Sequence, residues 1–373
     1  MLRRSILSAS LAGATIAALS VPGCSREPAW RVGFLAGLSG RSAELGNAGL
    51  KGAQLAVEQV NAAGGVHGRP VSLLVRDDQQ DAAAAAIALQ SLVEERAEFV
   101  VGPMTSSIAL ALREPAERAR MVLLSPSATS SELSGLDDHF FRIVPALSSI
   151  AEAQAAYLVR SGCRRLGLAL SAGNPAFTRN WTEHATRRFA ADGGKVTLIE
   201  TFEAGPAMRF TDLAAQLVGS GADCITIVAA GADVALLALA LRKRSASMPL
   251  VAAPWTDTTA LLEQGGAALE GAVVTQYFDP DSAAPAYRRF VADYQARFKE
   301  APGFGGLFAF DAMRVGLEAL RARAPRQSLR DTLLGLGQFA GLQGPLSFDR
   351  HGDGGAPARL ARVVDGRLRI IAP

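Results

Sequence analysis

Residues 99–129, FVVGPMTSSIALALREPAERARMVLLSPSAT, constrain the fold of this chain more than any other stretch. Phe99 to Val101 form a short apolar run stopped by Gly102-Pro103, and Met121 to Leu124 form a second, stopped by Ser125-Pro126. Between them Ile108, Leu110, Ala111 and Leu112 supply one apolar helix face, and Thr105, Ser106 and Ser107 stand at its start as residues that cap free N–H groups. Strand, helix, strand requires parallel pairing. Both turns then lie at the carboxyl ends of neighbouring strands, where open α/β sheets hold ligands and helix N-termini offer N–H groups to an anion. The pair of turns is therefore a candidate carboxylate seat, with helix capping as the plain alternative for Ser106 and Thr129.

The chain repeats this alternation on both sides. Ahead of it come a strand at 32–36, a Gly-rich turn, a helix over 49–63 ended by Gly64-Gly65, a strand at 70–75 and an alanine-rich helix over 81–94. Asp77 and Asp78 between the last two read as turn and cap residues, because no further ligand type sits near them at metal spacing. After it come strands at 166–171, 196–200, 225–229, 250–253 and 273–276, with helices over 179–192, 210–219, 234–244 and 258–264. Two more helices, 287–298 and 308–323, carry aromatic and aliphatic stripes at core spacing. The chain closes with strands at 359–364 and 367–371 joined by Asp365-Gly366, a hairpin turn pair. The expected class is α/β, with two doubly wound parallel-sheet units, and 373 residues with 49% hydrophobic content suffice for two cores.

The N-terminus reads as an export leader: Arg3 and Arg4, an uncharged stretch over 5–23, then Cys24. Val21-Pro22-Gly23-Cys24 resembles a lipoprotein lipobox, which implies cleavage before Cys24 and lipidation of its thiol; Pro22 departs from the usual small residue. An uncleaved membrane anchor is the alternative. The net charge is +3, and +1 once Arg3 and Arg4 leave with the leader, which excludes nucleic acid as a partner class. Arg242-Lys243-Arg244 ends a helix, where cations complement the dipole. Cys163 and Cys224 remain in the exported part, where pairing is allowed. Their offsets from the strands that follow disagree, so the reading favours two unpaired thiols.

A set of segments in order carries a family resemblance: Gly49-Leu50-Lys51-Gly52-Ala53, then Val60-Asn61-Ala62-Ala63-Gly64-Gly65-Val66-His67-Gly68-Arg69-Pro70, Gly102-Pro103 with Ser106-Ser107, Ser125-Pro126-Ser127-Ala128-Thr129, and Phe141-Arg142-Ile143-Val144-Pro145. It continues through Leu269-Glu270-Gly271, Phe310-Asp311-Ala312 and Gly344-Pro345-Leu346-Ser347-Phe348-Asp349. Together these resemble the type 1 periplasmic binding proteins of the leucine/isoleucine/valine-binding branch. The resemblance implies two Rossmann-like lobes, 30–146 plus 275–347 and 147–274 plus 348–373, after a leader at 1–24, with crossovers near Pro145, Thr275 and Phe348. It implies a ligand cleft between lobes that close by hinge motion.

Carried over residue by residue, the family's ligand grip falls on Ser106, Ser127, Ala128 and Thr129 in the first lobe, with Leu45 at a position that is often aromatic. In the second lobe Phe177 falls where an aromatic side chain covers the ligand. The acid that pairs with a ligand ammonium in amino-acid binders is missing: that region reads Pro254-Trp255, Asp257 is out of register, and Gly231 replaces an aromatic residue. A buried ammonium without a partner is costly. A carboxylic acid lacking the amine therefore stands ahead of a branched-chain amino acid, with Trp255 lining the pocket or packing at the lobe surface.

The expected function is noncovalent binding of a small carboxylate or amino acid for an ABC-type uptake system, with permease subunits as partners and the lipid anchor as the one membrane contact. A lipid-anchored sensor acting on a signalling or envelope partner is the alternative. Enzymatic use of the cleft finds no support: His67, His139, His184 and His351 are scattered, none in a metal-ligand pattern, and Ser39 lacks nucleophile-elbow spacing. No cofactor or metal is expected.

Overall fold

A computed structural model describes residues 28–40, 43–254, 259–355 and 359–371. Five strands, β1 (Trp30–Ala36), β2 (Val71–Asp77), β3 (Val100–Val101), β4 (Leu123–Ser125) and β5 (Phe140–Arg142), form a sheet in the order β2-β1-β3-β4-β5. Every pair in it is parallel. Such strands are covered on both faces, which is why they read as unbroken apolar runs. Val32, Phe34 and Ala36 of β1 enter one core while Leu35 enters another. The helices α1 (Ala43–Ala62), α2 (Ala82–Glu94) and α3 (Ser106–Ala119) supply the cover, α2 and α3 on the Leu35 side.

The second sheet repeats the winding. α4 (Leu147–Arg160), β6 (Arg165–Ser171), α5 (Pro175–Ala191), β7 (Lys195–Phe202), α6 (Phe210–Gly219), β8 (Cys224–Val228), α7 (Gly231–Arg242), β9 (Leu250–Ala252), α8 (Thr259–Gly265) and β10 (Val273–Gln276) follow in turn. Their strands lie in the order β7-β6-β8-β9-β10, all parallel. Each sheet thus has its second strand outside its first, and the order reverses between the first and third strands, at the topological switch point where such sheets hold ligands.

After β10 the chain returns to the first sheet through α9 (Pro285–Phe298) and α10 (Phe304–Ala322), and α10 packs along α1. The backbones touch there: a side chain at Gly52 would collide with the carbonyl oxygen of Gly306. α11 (Leu329–Leu336) and the hairpin β11 (Gln338–Gly341) and β12 (Gly344–Ser347) precede the last passage. β13 (Arg359–Val364) then pairs antiparallel with β10, and β14 (Arg367–Ile370) with β13, extending the second sheet to seven strands. No helix among the described residues is long and apolar enough to cross a membrane.

Two expectations fail here. The cysteines are joined: Cys163 and Cys224 form a disulfide with Cα atoms 5.9 Å apart. The register does pair Leu166 with Cys224, so the strand offset is real. However, Cys163 belongs to the turn that leaves α4 through Gly162 at φ +93°, its N–H held by Leu158 O at 3.0 Å, and this turn crosses the sheet end instead of extending β6. Several helices also start earlier than expected. α1 begins at Ala43 rather than 49, because Gly46 and Gly49, poor helix formers, are used where the helix lies against Gly37 and Met104. α5 begins at Pro175, which suits the first helical turn, where no N–H is needed.

Candidate functional site

The seat predicted at the ends of β3 and β4 is assembled by hydrogen bonds from one turn to the other. Gly102 leaves β3 at φ +124°, so close to Leu35 that a Cβ would strike the Leu35 carbonyl oxygen. Ser106, the first residue of α3 and 1% exposed, does not cap its own helix. Its Oγ accepts the N–H groups of Thr129 and Ser130, each at 3.2 Å. Thr105 at the N-cap position makes no side-chain cap bond either. The capping roles expected for these residues are thus replaced by a bridge between the two turns. Ser127 Oγ donates to Met104 O at 2.6 Å, a second bridge of the same kind.

Thr129 is fully buried, yet its Oγ1 has no hydrogen-bond partner, and neither does the buried Oγ of Ser131. Buried hydroxyls are nearly always paired, and among the described residues these two are not. Ala128 departs from the expected site. Its methyl packs in the core beneath α2 and α3, and its N–H is held by Ser125 Oγ at 3.0 Å. Any contact from Ala128 is left to its carbonyl.

Across from the seat stands the first turn of α5. Asn174 Oδ1 accepts both the N–H of Ser107, at 3.2 Å, and its hydroxyl, at 3.0 Å, while Ser107 Oγ accepts the Ala176 N–H at 3.1 Å. Asn180 Oδ1 accepts the Ser131 N–H at 2.9 Å, and Arg179 pairs with Glu132 at 2.8 Å on the rim. The two sheets are therefore latched together at this point. Beside the latch a cavity with about 270 Å³ of empty space is lined by Leu45, Met104, Ser127, Asn174, Phe177 and Phe304, with Tyr277 closing one side. Leu45, Ser127 and Phe177 thus line one cavity, while Ser106, Ala128 and Thr129 are not in its lining.

Behind the seat Arg142 is 1% exposed. Its guanidinium donates to Thr129 O at 3.2 Å and Ser130 O at 3.0 Å, and to Ser134 Oγ, and it pairs with Asp353 Oδ1 at 2.7 Å. Burial pulls its pKa below the ordinary arginine value, and the Asp353 charge opposes that fall. Arg142 holds the seat by its carbonyls and ties it to the passage before β13.

Trp255 and Cys24 lie outside the described residues, as does Asp257. Asn174, Met104, Tyr277 and Phe304 were not predicted to line the site. Asn174 follows a strand end and precedes a helix-starting proline, the same signal that marked Ser106; Tyr277 and Phe304 carry no local signal. Asp77 does serve as a turn residue, its Oδ1 accepting the N–H groups of Leu38 and Gln79 at 2.8 Å.

Two doubly wound parallel sheets, each covered by helices on both faces and latched to each other at turns beside their switch points, define the type 1 periplasmic binding protein architecture. A family model described as periplasmic binding protein matches residues 29–367, and the chain belongs to that family, one of solute-binding proteins rather than enzymes. Leu/Ile/Val-binding protein homolog 3 of Brucella melitensis is 23% identical over 343 residues, which covers 90% of this chain and 92% of that protein. Among solved structures, the branched-chain amino acid transporter substrate-binding protein LivJ of Streptococcus pneumoniae, in complex with isoleucine, superposes with a TM-score of 0.84 at 23% identity, covering 92% of this chain and 100% of that one. A solute-binding protein of an ABC transporter from R. palustris, in complex with benzoate, superposes at 0.81 with 21% identity, covering 92% and 95%.

Proposed function

We propose that this protein is an extracytoplasmic solute-binding protein of an ABC-type uptake system, binding an amino acid or related small carboxylate noncovalently between its two lobes. The observation that carries this reading is the bare Thr129 hydroxyl, fully buried beside the Ser106 bridge and the start of α3. A carboxylate oxygen there accepts from that hydroxyl, and the helix N-terminus favours its charge. The apolar side chains of Leu45, Phe177 and Phe304 then receive the rest of the ligand. The ligands named for relatives, branched-chain amino acids and benzoate, share a carboxylate and an apolar body.

The lobes on this reading are 30–146 plus 275–347 and 147–274 plus 348–373, closing on ligand and presenting the closed form to permease subunits. Anchoring through a lipidated Cys24 after leader removal belongs to the same proposal, as does the absence of any catalytic step or cofactor. A thermal-shift screen of the leaderless chain against amino acids and aromatic or short organic acids tests it, since a ligand of the folded state raises the melting point. Thr129→Val, which keeps the shape, is expected to weaken the best ligand about 10-fold or more, the effect of losing a hydrogen bond to a charged group, and Ser106→Ala to weaken it by removing the bridge that positions Thr129. Unchanged affinity in both would refute the seat.

A further inference from the structure

A larger cavity, with about 610 Å³ of empty space, lies where the chain passes between the sheets. All three passages contribute walls: Pro145 after β5, Tyr277 and Asp279 after β10, and Arg359 at the start of β13. One wall is α10, where Leu307, Phe308 and Asp311 share a face because they are three and four residues apart. Asp311 is 2% exposed. Its Oδ2 accepts the Leu342 N–H at 3.2 Å, but its Oδ1 has no hydrogen-bond partner. The nearest cation, Arg314 Nη1, is 3.9 Å from Oδ1, beyond hydrogen-bonding reach.

Gln343 and the Asp279 main chain beside the cavity already satisfy each other. Gln343 accepts the Asp279 N–H at 2.8 Å and donates to Asp279 O at 2.6 Å, and the Asp279 carboxylate faces Arg359 at 3.9 Å. What remains is an unmet carboxyl oxygen on the wall of a chamber that Ile143, Leu307, Phe308 and Leu346 line with apolar side chains. A buried carboxylate is complemented by a charged donor, and one carboxylate alone supplies too few ligands for a metal ion.

We propose that this cavity, which shares Tyr277 alone with the lining of the cleft cavity, is a second ligand site for a small primary amine with an apolar body whose ammonium group pairs with Asp311. Phenethylamine is a suitable probe and 2-phenylethanol its uncharged counterpart. Titration calorimetry at pH 8 is expected to show one amine bound per chain, at least about 10-fold more tightly than the alcohol, as loss of a buried charged hydrogen bond implies. Methyl NMR shifts should move at Leu307 and Leu346 and not at Leu45, and Asp311→Asn should remove the preference for the amine. Equal binding of amine and alcohol by the wild-type protein would overturn the proposal without any variant. So would shifts centred on Leu45 and Met104, or no amine binding at millimolar concentration.

Discussion

Asp311 carries a cost that depends on pH. Burial pushes its carboxyl up to about 7, against 3.8 ordinarily, while the Leu342 N–H and Arg314 partly oppose that shift. Asp78, 1% exposed, is pushed up to about 6, with Asp77 adding to the burial and the Gln80 N–H opposing it. In both, the folded state holds its proton more tightly than the unfolded chain does. Their contribution to stability is therefore full below about pH 4 and is lost as pH rises through 6 and 7. Asp311→Asn should melt above wild type at pH 8, by an amount on the order of a few kcal/mol, and the gap should close near pH 4.5. Calorimetry at the two pH values checks this; a gap that does not change with pH would refute it. Only part of the site was legible one residue at a time. Ser106 and Thr129 were picked out because they follow strand ends, where open α/β sheets hold ligands, and the structure joins the two by the Ser106 bridge. Arg142 and Tyr277 could not, since their partners, Asp353 and Phe304, lie far along the chain and no local pattern announces them.

Strands that are unbroken apolar runs were legible even when short, as β3, β4 and β9 show, whereas α11 was missed, and the boundary of α1 erred where glycine was used for close packing. β5, three residues long, was not read as a strand, and α4 and the hairpin β11–β12 were not read as elements. α4 carries its apolar face partly on alanines, Ala151, Ala155 and Ala156, which give little contrast against the rest of the helix. The disulfide is the clearest case of an element-scale error: strand offsets argued against it, and a tight turn at the sheet end brought the thiols together. It closes a loop of 61 residues in sequence separation. By the chain-entropy relation such a link adds about 4 kcal/mol of stability. Cys163→Ala with Cys224→Ala is expected to lower the melting temperature and the chemical-denaturation midpoint by a corresponding amount. A double variant as stable as wild type would show that strain or residual structure cancels the link.

At the scale of the molecule, hydrogen bonds latch the turns at the start of α3 to α5, and the proposed closure on ligand makes this latch the contact that would favour a closed form. Asn174 and Asn180 are nearly buried, and each holds first-sheet backbone across the cleft. Net hydrogen bonds of this kind contribute about 1 kcal/mol each. Asn174→Ala with Asn180→Ala, which removes three such bonds, should therefore shift the unliganded population toward the open form by roughly 100-fold, the factor that about 3 kcal/mol represents. Small-angle scattering reads this as a larger radius of gyration without ligand. An unchanged radius would mean that the closed form does not depend on these contacts.

The contact between Gly52 and Gly306 also governs the order in which the molecule can be made. A nascent chain emerging from its N-terminus presents all five strands of the first sheet, and the apolar stripe of α1, before α10 exists to cover that stripe. The intervening 254 residues take roughly 13–50 s to synthesise at ordinary elongation rates. The second sheet is likewise missing its antiparallel edge until the last strands appear. Neither half has all of its elements until α10 and the last two strands are available, so the final packing of each waits on segments distant in the chain.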